Sequence, residues 1–132
     1  MLMAVFMLAA ACSKDKRIER RLQSREGKWN IDTYSFNEYE NQVVVDSGSD
    51  SDAGYMIFEK NGSMALVLTN FNQAIGGTWV NTSDEVILSA TGGLALVMKI
   101  TDDSRKEMTL EYTQIYNDST KTINKFEISR AK

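Results

Sequence analysis

From Gly27 onward, apolar and polar residues alternate with a period of two, the signature of strands with one buried face. Trp29, Ile31 and Thr33 alternate with Lys28, Asn30 and Asp32 and predict a first strand. Val43, Val44 and Val45 mark a second, which the polar run "DSGSDSDA" (46–53) breaks as a solvated surface loop. The stretches "GYMIFEK" (54–60) and "SMALVLTNF" (63–71) flank Asn61-Gly62, which predicts a type I′ hairpin with positive φ at both central residues. The stretches "GTWV" (77–80), "EVILSA" (85–90), "LALVMKI" (94–100), "MTLEYTQIY" (108–116) and "TINKFEIS" (122–129) follow at hairpin-length spacing. Leu94, Leu96, Met98 and Ile100 share one face, as do Met108, Leu110 and Tyr112, with Thr109, Glu111 and Thr113 behind them. On the last strand Phe126 and Ile128 point opposite to Lys125 and Glu127. Eight or nine such strands predict an all-β, antiparallel up-and-down meander, closed into an eight-stranded or at most nine-stranded barrel over residues 26–132. Closure removes sheet edges in a chain that has no proline to guard them.

Upstream the pattern changes twice. Residues 1–11, "MLMAVFMLAAA", are uncharged and apolar, far short of the roughly 20 residues that span a bilayer but suited to the core of a signal peptide. The only cysteine, Cys12, follows directly. Leu8-Ala9-Ala10-Ala11-Cys12 resembles the lipobox of bacterial lipoproteins. The resemblance implies cleavage before Cys12, diacylglycerol on its thiol and acylation of the new amino terminus. The mature protein would then sit on a membrane of the bacterial cell envelope, the outer membrane above all, and incorporate palmitate. No Lys or Arg precedes Lys14, so either the true start lies upstream of Met1 or the signal is a weak one.

Residues 12–25 are expected to form a lipidated cysteine and a basic tether. Ile18 and Leu22 would share one helical face, but Lys16/Arg20, Arg17/Arg21 and Asp15/Glu19 are like-charged pairs at helical spacing. Lys14, Lys16, Arg17, Arg20, Arg21 and Arg25 against Asp15 and Glu19 give this arm +4; the whole chain is −3, so the remainder carries −7. An acidic domain gains nothing from a phosphate backbone, and the arm has no aromatic side chain to stack on bases, so no nucleic-acid partner is expected.

The absent residue types narrow the chemistry further. Without histidine there is no Ser-His-Asp or Cys-His constellation, and one cysteine cannot complete a usual zinc site. The carboxylates of "DSGSDSD" lack the terminal bidentate Glu of an EF-hand loop. No catalytic residue, metal or cofactor is expected.

Gly27-Lys28-Trp29, a G-x-W at the start of the first strand, resembles the lipocalin superfamily. Together with "GYMIFEKNGSM", "GTWVNTSDEVILS" and "MTLEY", the layout is similar to small lipocalin-like lipoproteins of Bacteroidetes. The resemblance implies that Trp29 plugs the closed end of the barrel behind Gly27, with Arg130 packed across its ring. Thr101-Asp102-Asp103 lacks the tyrosine of the lipocalin T-D-Y motif. The expected function is non-catalytic binding of a small, largely apolar ligand, with Trp79, Leu96, Met98, Leu110 and Tyr112 as pocket candidates and Tyr34, Tyr55 and Tyr116 as further aromatic walls. The alternative is an envelope interaction or inhibitor module whose barrel is filled by its own side chains. The interior decides between them, since eight strands enclose either a packed core or one small ligand.

Overall fold

The computed structural model describes residues 14–131. Eight strands follow in chain order: β1 (Lys28–Glu40), β2 (Val43–Phe58), β3 (Ser63–Leu68), β4 (Gln73–Asn81), β5 (Glu85–Ala90), β6 (Ala95–Asp103), β7 (Glu107–Ile115) and β8 (Thr120–Arg130). Each pairs antiparallel with its sequence neighbours, and β1 pairs with β8 to close an up-and-down barrel. A helix over residues 14–23, here α1, precedes the barrel. The signal-peptide reading of 1–11 and the lipidation reading of Cys12 lie outside the described residues.

The inward faces carry the core. Met64 and Leu66 of β3, Val86 and Leu88 of β5, Met98 of β6, Met108 and Leu110 of β7, and Phe126 and Ile128 of β8 are buried in one cluster with Trp29, Met56 and Phe58. The alternation slips once on β1. A bulge between Ile31 and Thr33 turns Thr33 off the inner face and brings in Tyr34 and Phe36, which oppose the buried Phe126 and Asn124.

Four local expectations are corrected. The polar run 46–53 is not a loop: it lies within β2, paired residue by residue with β1 from Glu38↔Asp46 to Thr33↔Ser51. Its β1-facing edge is held by the ladder while most of its polar side chains stay hydrated, so a polar sequence can still be strand. At Asn61-Gly62, Gly62 alone takes positive φ (91°) and its N–H donates to the Glu59 carbonyl at 3.0 Å. That is a type I turn closed by a left-handed glycine, not a type I′ turn. Leu94 stands 55% exposed in the β5–β6 turn and does not share the inward face of Leu96, Met98 and Ile100.

The fourth correction is the largest. The basic segment after Cys12 is no extended tether but helix α1, whose Ile18 and Leu22 are fully buried against the end of the barrel. Like-charge pairs at helical spacing cost a few tenths of a kcal/mol, whereas burying two large aliphatic side chains contributes about 1.5–3 kcal/mol each. Packing wins.

Candidate functional site

The strand order gives the barrel two unlike ends. The closed end holds α1 and the β2–β3, β4–β5 and β6–β7 turns, and the open end holds the β1–β2, β3–β4, β5–β6 and β7–β8 turns.

At the closed end the structure brings Gly27, Trp29 and Arg130 together. Trp29 is fully buried, its Nε1 donates to the Leu22 carbonyl at 3.0 Å, and the Arg130 guanidinium lies 5.8 Å from its ring centroid. Gly27 takes φ +69°, and a Cβ there would stand 1.9 Å from the Phe58 carbonyl oxygen, so only glycine fits. Arg21 of α1 forms an ion pair with Asp103 of β6, both largely buried. The indole nitrogen and the helix C-terminus therefore satisfy each other, a contact that the strand pattern alone does not reveal.

The five pocket candidates do not form a cup. Leu96, Met98 and Leu110 are buried in the core cluster, and Tyr112 packs against its upper edge. Trp79 is also core: its ring meets Phe58 edge-on at 5.3 Å, and its Nε1 donates to the Glu59 carbonyl at 2.9 Å. Gly77, two residues before it, admits a neighbouring strand, since a Cβ would stand 2.0 Å from the Ser89 carbonyl oxygen. A cleft of about 300 Å³ touching Trp79 opens at the closed end beside Glu19 and Gln23, away from the barrel mouth.

Above the core, three inward rows climb the wall formed by β2, β1, β8 and β7. Asp50, Tyr34, Phe126 and Leu110 form the lowest; Gly48, Phe36, Asn124 and Tyr112 the next; Asp46, Glu38, Thr122 and Gln114 the highest. Tyr34 closes the mouth. Its ring lies 5.0 Å from Phe126 and meets Phe71 edge-on at 5.8 Å; its hydroxyl donates to Asn124 Oδ1 at 2.6 Å, and Asn124 Nδ2 donates to the Tyr112 carbonyl at 3.4 Å. Burial, with the Tyr116 phenol adding to it, pushes the Tyr34 phenol above its ordinary value of 10.0. Tyr55 faces outward under the Lys28 ammonium, 4.7 Å from its centroid, and walls no mouth. Tyr116 stands exposed at the rim, its hydroxyl 3.5 Å from that of Thr122.

The rim itself is apolar. Of nine large hydrophobic side chains exposed among the described residues, seven lie in the open-end turns (Phe71, Leu94 and Tyr116) or on the strand ends that flank them (Val43, Val44, Val45 and Ile115). A cleft of about 460 Å³ lies between the β1–β2 and β7–β8 turns, lined by Tyr39, Gln42, Ile115, Asp118 and Lys121 among others. Beyond the level of the Ser35–Lys125 pair, four carboxylates among the described residues, Glu38, Glu40, Asp46 and Asp118, share this end with one ammonium, Lys121. Glu38 and Asp46 oppose each other directly across the β1–β2 ladder. Among the described residues the closed end exposes one large hydrophobic side chain, Val80 on β4 beside the β4–β5 turn. No family model matches the chain, and no curated protein matches it, so the geometry of the two ends carries the functional reading.

Proposed function

We propose that this chain is a lipid-anchored, non-catalytic lipocalin-like barrel of the bacterial cell envelope, held through Cys12, whose open end docks a protein with a basic, apolar surface. One observation carries the reading: seven exposed hydrophobic side chains, in or beside all four open-end turns, stand around a mouth stopped by Tyr34. A concentration of exposed apolar side chains at one end of a molecule points to an interaction site rather than ordinary protein exterior. The carboxylates select the partner's sign, because the opposed Glu38 and Asp46 repel each other until a cation lies between them.

The test is binding of an amphipathic lysine–leucine peptide to the purified protein, with a glutamate–leucine peptide as control. The lysine peptide should bind with an affinity that falls as salt rises, and Ile115→Ser with Val44→Ser should weaken it at least several-fold. Equal binding of both peptides, or an affinity unmoved by the rim substitutions, contradicts the reading.

A second reading, uptake of a small apolar ligand, is supported by the aromatic rings at the mouth. Tyr34 would have to swing away from Phe71 and Phe126 to admit it. Titration with fatty acids, retinoids and a generic apolar dye separates the two, since saturable binding that Tyr34→Ala enhances favours the small ligand.

A further inference from the structure

Cys12 precedes the first described residue of α1 by two positions, at most about 7 Å of extended chain. From there the chain is fastened to the barrel. Ile18 and Leu22 are buried, Arg21 pairs with Asp103, Lys14 Nζ lies 3.2 Å from Asp84 of the β4–β5 turn, and Asn81 Nδ2 donates to the Asp15 carbonyl at 3.1 Å. An anchor at Cys12 therefore has almost no slack.

Helical geometry fixes which side chains lie farthest from the barrel. At about 100° per residue, Lys16 and Arg20 fall on the pole opposite Ile18 and Leu22, with Arg17 on the flank. All three are exposed. Lys16 and Arg20 are like charges one turn apart, relieved in part by the Lys16–Glu19 ion pair at 3.3 Å, and an anionic surface would relieve them further. At the other end of the barrel the sign reverses, with Glu38, Glu40, Asp46 and Asp118 set against Lys121.

We propose that α1 is a rigid mount rather than a leash: Lys16, Arg17 and Arg20 lie on the anionic headgroup surface, holding the closed end against the bilayer and turning the open end away from it. The mount rests on the lipid anchor at Cys12. It sharpens the docking reading, because the apolar rim then faces the aqueous compartment and cannot be covered by the membrane that anchors the protein.

The experiment uses the full lipidated chain in phosphatidylcholine vesicles containing phosphatidylglycerol and a nitroxide headgroup lipid. A fluorophore is carried in turn on Lys60→Cys, in the β2–β3 turn that shares a cleft with Arg20, and on Asp118→Cys in the β7–β8 turn. Acylation occupies the Cys12 thiol. Quenching should be several-fold stronger at position 60 than at 118, and Lys16→Glu with Arg20→Glu should reduce that ratio while palmitate incorporation persists. Equal quenching at the two ends, or stronger quenching at 118, overturns the mount in a protein that is still lipidated and vesicle-bound. A ratio unchanged in the double variant overturns the part assigned to the cations. A chain that takes up no palmitate and does not float with vesicles overturns the anchor and the mount together.

Discussion

The closed and open ends of this barrel are built from the same eight strands and differ in nearly everything else. At the closed end an indole, two aliphatic side chains and a partly buried ion pair interlock, and the polar atoms of α1 and Trp29 find each other. At the open end β1 and β2 run on past the core, and their polar and apolar side chains are left to water. A barrel needs only one sealed end to be stable. What the other end exposes is then free to be set by recognition, and here it is apolar, acidic and closed by a tyrosine.

If that division is right, substitutions at the two ends should separate cleanly in stability and in binding. The largest effect belongs to Trp29→Ala, expected to cost about 3–5 kcal/mol in urea unfolding because it empties a fully buried site. A loss within error would mean that the closed end is not the stability centre. Leu22→Ala should cost about 2–5 kcal/mol although it lies outside the barrel, since its side chain is core. For the same reason a chain beginning at Glu26 should unfold at markedly lower urea than the chain that carries α1.

Tyr34→Phe is expected to cost about 1 kcal/mol at neutral pH through the lost hydrogen bond to Asn124. It also carries a pH signature. With the Tyr34 phenol raised above 10.0 by burial, the unfolded chain gives up that proton first, so stability is intact below pH 10 and falls as pH rises beyond it. Tyr34→Phe should flatten that fall, and an unchanged alkaline slope would deny the phenol its buried position. The smallest stability effect is expected from Ile115→Ser or Val44→Ser, within about 0.5 kcal/mol, because both side chains are exposed. These two should still abolish most of the peptide binding, which makes them the sharpest contrast with Trp29→Ala.

The sequence showed the barrel through Met108-Thr109-Leu110-Glu111-Tyr112 and Lys125-Phe126-Glu127-Ile128, where apolar inward and polar outward residues alternate without interruption. It concealed the extension of β2, because Asp46 to Asp52 are solvated and a strand paired above the core needs no hydrophobic side. It concealed α1 because helix signals within the segment are weak, while the surface that buries Ile18 and Leu22 is assembled from residues of distant strands. It concealed the turn of Tyr34 toward the mouth because the bulge at Ile31/Thr33 shifts the period by one. The apolar rim left a signal that alternation does not register. Every open-end turn contains or is flanked by exposed apolar residues (Val43–Val45, Phe71, Leu94, Ile115 and Tyr116), whereas around the closed-end turns Glu59–Gly62, Thr82–Asp84 and Ser104–Lys106 only Val80 is an exposed large hydrophobic side chain among the described residues. Comparing alternate turns of a meander, rather than its strands, would have found it.

The claim that one end is fixed and the other is the working surface is tested most directly by amide hydrogen exchange on the full chain. Protection over residues 18–23 and at Trp29 should approach that of the core strands β7 and β8, while the turns around Gln42, Gly93 and Asp118 exchange through local opening. Exchange across residues 18–23 at the rate of an unstructured peptide, with the barrel amides still protected, would contradict it.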